Sequence, residues 1–66
     1  MPRKEFEADQ RYVLVGRFSE LTGYTARAIY RKIEKGTWID GIHYRRAPDG
    51  HILMDLDQFN RWVEGS

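Results

Sequence analysis

The stretch Thr25-Ala-Arg-Ala-Ile-Tyr-Arg-Lys-Ile-Glu-Lys35 has the periodicity of a short helix with two opposed faces. Its apolar residues follow the i, i+3, i+4, i+7 spacing of a buried stripe, which we expect to contain Ala26, Ile29, Tyr30 and Ile33. Three basic residues at i, i+4 spacing fall on the other side, namely Arg27, Arg31 and Lys35. Like charges at this spacing repel by roughly 0.2–0.5 kcal/mol per pair, so the pattern favours a polyanionic partner. A solvated helix surface is the plain alternative.

The residues before this helix predict a second helix and a tight turn. Residues 16–21 fit one or two helical turns that bury Phe18 and Leu21. Gly23 can adopt a left-handed turn conformation, and a neighbouring threonine can cap the next helix. We expect Gly36 to end the basic helix in the same left-handed conformation. Helix, glycine-bearing turn, helix is the layout of a helix-turn-helix motif.

The chain after Gly36 predicts a β-hairpin. Trp38 and Ile39 are expected in the core. Residues 43–46 then form one strand, and residues 51–54 form the returning strand. The turn between them is Ala47-Pro-Asp-Gly50, which has proline at its second position and Asp-Gly after it.

The two ends of the chain complete the expected architecture. Residues 1–11 are polar and aperiodic, so we interpret them as a flexible arm, and residues 12–64 as one winged-helix domain. Residues 12–15 are β-prone. Asp55 or Asp57 is expected to cap a last helix with an apolar stripe of Leu56, Phe59, Trp62 and Val63. The predicted fold class is α+β, a small winged helix-turn-helix: short strand, two helices, β-hairpin wing, C-terminal helix.

The length, cysteine content and charge of the sequence limit the types of protein that it can be. The 66 residues suffice for one small domain, and the absence of cysteine excludes disulfides and thiolate metal sites, which suits a reducing cytoplasm. We see no signal peptide or membrane span and expect a soluble cytoplasmic protein. The formal net charge is only +1, but residues 24–51 carry six basic and three acidic residues. This local excess of basic residues indicates the type of binding partner better than the total net charge does.

Several segments of the sequence resemble a known family. They are Leu21-Thr-Gly-Tyr-Thr25, Ala28-Ile-Tyr-Arg-Lys-Ile33, Gly36-x-Trp38-x-x-Gly41-x-His43-Tyr44, Pro48-Asp-Gly50 and Trp62. Together they resemble the excisionases of phages and prophages, small winged-helix proteins also termed recombination directionality factors. These are similar in fold to the DNA-binding domains of mercury-resistance-type regulators. The resemblance spans about Tyr12 to Glu64, and its specific part is the Gly-x-Trp-x-x-Gly-x-His-Tyr run with the Pro-Asp-Gly that follows it.

The resemblance implies architectural work on DNA. An excisionase binds at a phage attachment site, bends the DNA and helps a tyrosine-type integrase to excise rather than integrate. The implied partners are therefore double-stranded DNA and such an integrase. Excisionases often carry a clear basic excess or a tail that contacts the integrase, whereas this sequence ends at Ser66, directly after the last expected helix. Direct contact with the integrase is left open, and the small size favours further copies on adjacent DNA sites.

The basic helix is the expected recognition helix. A guanidinium matches the two acceptors of guanine in the major groove, so Arg27 and Arg31 are the first candidates for base contacts. Lys32 and Lys35 are expected to contact phosphates, which position the protein without reading sequence. Arg17 could join them from the first helix.

Further DNA contacts are predicted outside this basic stripe. Tyr24 and Thr25 could add a base or phosphate contact, although Thr25 is equally well interpreted as a helix cap only. In the wing, Arg45 and Arg46 are adjacent, so strand alternation allows only one of them to point at DNA. His51 could contact a phosphate from the returning strand, or it is an incidental surface histidine.

Other chemistries find little support in the sequence. The large aromatic residues could be stacking platforms for single-stranded nucleic acid, but in so small a domain we expect them in the core; they are Trp38, Tyr44, Phe59 and Trp62. We identify no catalytic residue, metal site, phosphate loop or cofactor, and expect no enzymatic activity. Two alternatives to an excisionase stay open: a small phage transcriptional regulator with the same fold, and a protein-interaction module whose basic helix meets an acidic partner.

Overall fold

The computed structural model of the protein describes residues 11–65. Its elements follow in the predicted order, namely β1 (Tyr12–Leu14), α1 (Val15–Thr22), α2 (Ala26–Glu34), β2 (Tyr44–Arg46), β3 (Ile52–Asp55) and α3 (Leu56–Glu64). The predicted α+β class, a small winged helix-turn-helix, is confirmed. Of the arm predicted for residues 1–11, all but Arg11 lies outside the described residues.

All three strands form one antiparallel sheet with the order β1-β3-β2. Met54 in the central strand pairs with Val13 on one side and with Tyr44 on the other. These three side chains are buried, so the face that they share is the core face. Because neighbouring residues of a strand alternate between faces, Leu53 and its partner Arg45 lie on the opposite, outer face.

Side-chain hydrogen bonds cap the starts of α2 and α3. Thr25 Oγ1 accepts a hydrogen bond from the backbone N–H three residues later at 3.1 Å, and Asp55 Oδ1 does the same at the start of α3, also at 3.1 Å. Gly23 and Gly36 adopt the predicted left-handed conformation, with φ of 88° and 80°. The helix caps and glycine turns expected from sequence are therefore confirmed.

The core is a cluster of aromatic rings between the helices and the sheet. Phe18 and Ile29 are fully buried, and Trp38 is nearly so. The Phe18 and Trp38 rings meet edge to face with centroids 5.7 Å apart, and Trp62 lies 5.3 Å from Trp38 in a similar arrangement. Phe59 is partly buried and also packs against this cluster. Such edge-to-face pairs stabilise a core beyond their buried area, and the expectation that these aromatic residues are core residues is confirmed.

Several residues expected in the core are exposed. They are Leu21, Ala26, Tyr30, Ile39 and Val63. In a domain of this size each helix packs against few other elements. Only the narrow line of side chains that contacts those elements is buried. In α2 this line is Ile29, which is buried, and Ile33, which is half-buried, while their neighbours in the predicted stripe face solvent.

Candidate nucleic-acid interface

Two shallow grooves lie on the outward side of α2 and share Arg31. The first, termed the mixed groove, is lined by Arg27, Tyr30, Arg31 and Glu34. The second, termed the basic groove, is lined by Tyr24, Ala28, Arg31, Lys32, Lys35 and Thr37. Among residues 11–65, the basic groove has three cationic side chains and no carboxylate in its lining, whereas the mixed groove combines two guanidinium groups with a phenol and a carboxylate. The outward side of the helix is therefore chemically asymmetric about Arg31.

The predicted basic stripe is exposed and available to a ligand. Arg27, Arg31 and Lys35 are exposed, and within residues 11–65 no side chain forms an ion pair with them. Arg17, the contact expected from the first helix, is different, since its Nη1 lies 3.2 Å from Glu20 Oε1 on the same helix. The unpaired cations are thus concentrated on α2, where they would meet a polyanion without first breaking an ion pair.

Lys32 is placed differently from the other predicted contacts. It is half-buried, and its ammonium Nζ lies 5.3 Å from the ring centroid of Tyr24, 5.8 Å from that of Trp38 and 5.6 Å from that of Trp62. A cation at this distance over ring faces is stabilised by the ring quadrupoles. Lys32 therefore connects α2 to the aromatic core, and its contact with phosphate stays a prediction.

The two remaining predicted contacts of this region lie around the start of α2. Thr25 caps the helix through its hydroxyl oxygen, so the cap interpretation is confirmed. Tyr24 packs its ring edge to face against Trp38 at 5.7 Å and is half-buried at the edge of the basic groove. Contacts of either residue with DNA are not tested by the geometry.

The wing presents its two arginines differently. Arg45 lies on the outer face of the sheet beside Leu53, and Arg46 Nη1 donates a hydrogen bond to the carbonyl oxygen of Gly50 at 3.4 Å. Both side chains are exposed, and together with Tyr12, Ala47, Pro48 and Leu53 they line a third, largely apolar groove. Strand alternation starts the two side chains on opposite faces of the sheet, yet both reach this groove, and which of them contacts DNA stays a prediction.

His51 lies beside an acidic residue at the wing tip. Its backbone N–H donates to Asp49 Oδ1 at 3.0 Å, and its Nδ1 lies 3.0 Å from Asp49 Oδ2. These bonds, the backbone one first, lower the pKa of the Asp49 carboxyl. His51 therefore has a local partner for its ring, and its predicted phosphate contact remains a prediction.

Sequence reasoning missed two members of the outward face. Tyr30 was assigned to the buried stripe, but it is 45% exposed, and Glu34 was given no role. Both lie in the mixed groove with the predicted Arg27 and Arg31. The sequence did contain a signal for this. Tyr30 and Glu34 are four residues apart, as are Arg27 and Arg31, so the two pairs lie next to each other on the helix surface.

Neither a metal centre nor a membrane helix is found in residues 11–65. No three carboxylate or imidazole side chains of this region come close enough together to hold a metal ion. No helix among these residues is both long and apolar enough to span a bilayer.

The three helices and three strands of residues 11–65 define a small winged helix-turn-helix protein in which α2 carries a basic, exposed side. The family described as "Putative excisionase (DUF1233)" matches residues 10–66, and the chain belongs to this family. The resemblance seen in the sequence is thereby confirmed. No curated protein and no solved structure matches the chain.

Proposed function

We propose that this protein binds double-stranded DNA at a phage attachment site in the cytoplasm, bends it, and directs a tyrosine-type integrase towards excision. The observation that carries this proposal is the outward side of α2, with Arg27, Arg31 and Lys35 exposed and unpaired within the described residues. Membership of the excisionase family supports a role in excision rather than in another process that uses the same fold.

In this proposal α2 occupies the major groove. Arg27 and Arg31 each present a planar donor fork to the two acceptors on a guanine edge. Lys35 neutralises a backbone phosphate next to the groove. Thr25 and Tyr24, which lie at the start of the helix, supply a further base or phosphate contact.

The wing and further copies of the protein would extend the DNA contact beyond the stretch of major groove that α2 occupies. Arg45 or Arg46, with His51 at the tip, would contact the DNA backbone or minor groove beside the helix. One domain of this size covers little DNA, so several copies on adjacent sites would supply useful affinity.

The salt dependence of binding tests the DNA contact. Gel shifts on attachment-site duplex across a salt series should give a log–log slope of about −3 to −5 per protomer, because roughly three to five phosphate contacts release counterions. A flat response, or no shift at all, would favour an interaction module with an acidic protein partner instead.

A second assay tests the role in recombination. Excision and promoter activity near the integrase gene should be measured in the same strain with and without this gene. Loss of excision with unchanged transcription is the expected result. Unchanged excision with altered transcription would identify a transcriptional regulator.

A further inference from the structure

The mixed groove contains chemistry that phosphate binding does not explain. Its carboxylate, Glu34, is exposed and forms no ion pair with the groove's two arginines within the described residues. Facing a duplex, an unpaired carboxylate is repelled by every backbone phosphate. Its presence on the outward side of the basic helix therefore weakens binding to DNA in general, unless it meets a hydrogen-bond donor there.

The spacing of the groove matches base pairs read in the major groove. Residues 27 and 34 are separated by seven positions, which is about 10 Å along a helix with a rise of about 1.5 Å per residue. Base pairs stack about 3.4 Å apart, so this length covers at most about three of them along the DNA axis. Arg27, Tyr30, Arg31 and Glu34 line it together. A single helix face can thus present all four side chains to consecutive base edges.

Cytosine is the base whose major-groove edge offers a carboxylate its donor. The N4 amino group of cytosine donates in the major groove, where guanine offers only acceptors. Arginine and glutamate on the same face therefore discriminate in opposite directions between the two bases of a G·C pair. Glu34 would select the strand on which the cytosine lies.

Tyr30 adds an apolar surface to the same groove. Its side chain is 45% exposed, and its ring belongs to none of the aromatic contacts of the core within residues 11–65. In the major groove the apolar feature of a base edge is the C5-methyl group of thymine. A ring at this position would contact that methyl group.

We infer that Tyr30 and Glu34 are specificity-determining residues. Glu34 accepts a hydrogen bond from a cytosine amino group, and Tyr30 packs against the methyl group of a nearby thymine. This inference rests on the proposed DNA binding. It explains why the recognition helix carries a carboxylate, Glu34, and an exposed ring, Tyr30.

Selection from a randomised duplex pool tests Glu34. For Glu34→Ala we expect the cytosine preference at one position to fall roughly tenfold, while binding to random-sequence duplex is unchanged or stronger because a repulsive charge is removed. The matched control is Glu64→Ala, which removes the same charge from an exposed position on α3 and should keep the wild-type preference.

Thymine-to-uracil replacement tests Tyr30 from the DNA side. Removing the methyl group from the selected thymine should weaken binding of the wild type and of Tyr30→Phe about threefold or more, and should leave Tyr30→Ala unaffected. Because each protein is compared with itself on the two duplexes, a lower folded fraction caused by a substitution cancels from the ratio of affinities.

The outcomes separate the inference from the proposed function. If the wild type selects no sequence and shows no salt-dependent binding, the proposed DNA binding itself fails. If the wild type selects a sequence that Glu34→Ala and Tyr30→Ala also select with equal preference at every position, DNA binding stands and this inference is wrong.

Discussion

The helices α2 and α3 are built alike and have different surroundings. Each has nine residues and begins at a side-chain oxygen that accepts a backbone hydrogen bond. The cap of α2, Thr25, is exposed, whereas the cap of α3, Asp55, is only 1% exposed and lies 3.1 Å from Arg11 Nε. Hydrogen bonding to Asp55, and then its charge, raise the pKa of Arg11. The buried cap charge of α3 is therefore paired with Arg11, whereas the exposed cations of α2 are left without an ion-pair partner within the described residues.

The largest effect that we expect concerns the buried cap of α3, Asp55. Asp55→Ala removes both the cap of α3 and the partner of Arg11, so the free energy of unfolding should fall by about 2–3 kcal/mol. Urea unfolding followed by tryptophan fluorescence measures this change. Thr25→Ala, which removes only a cap, should lose about 1 kcal/mol. Equal losses for the two variants would mean that the ion pair between Arg11 and Asp55 adds nothing to the stability of α3.

The next effect concerns the outward helix and is seen in binding rather than in stability. Arg31→Ala should weaken binding to specific DNA by about 1–3 kcal/mol and relax the preference at one base pair. Lys35→Ala should weaken binding to all sequences alike and reduce the salt slope by about one unit. Fluorescence anisotropy on specific and random duplexes measures both. If each variant affects the two duplexes equally, the recognition helix has been misplaced.

The smallest effect that we expect is a loss of stability at Lys32, compared with Lys35 on the same helix. Lys32→Gln removes a cation from three ring faces, and the free energy of unfolding should fall by about 1 kcal/mol. Lys35→Gln is the matched control, since Lys35 is exposed and contacts no ring within the described residues; it should leave stability unchanged. Urea unfolding compares the two. Equal stabilities would show that the ring contacts of Lys32 do not hold α2 to the core.

The element order was predictable because its signals are local. Gly23 and Gly36 adopt positive φ values that glycine tolerates best, and Thr25 and Asp55 accept hydrogen bonds from amides three residues away. Each of these features depends on a few neighbouring residues. The pairing of β1 with the hairpin is different, because it joins residues about forty positions apart, such as Val13 and Met54.

The candidate site was predictable in part. The i, i+4 spacing of Arg27, Arg31 and Lys35 placed them together on one side of a helix, and the structure agrees that all three are exposed. Tyr30 was assigned to the wrong side because a nine-residue helix shows little more than two turns of periodicity. The width of its apolar stripe cannot be read from so short a segment.

The amino-acid sequence by itself determined the helices, the turns, the wing and the basic side of α2, since these follow from backbone preferences and short-range spacing. Only the tertiary structure decided which flank of α2 is covered, that Lys32 lies over aromatic rings, and that Tyr30 and Glu34 line one groove with Arg27 and Arg31. The physical reason is that the burial of a side chain on a helix depends on how far the neighbouring helices and strands extend over it. In a small domain a displacement of one side-chain width changes a core residue into a surface residue.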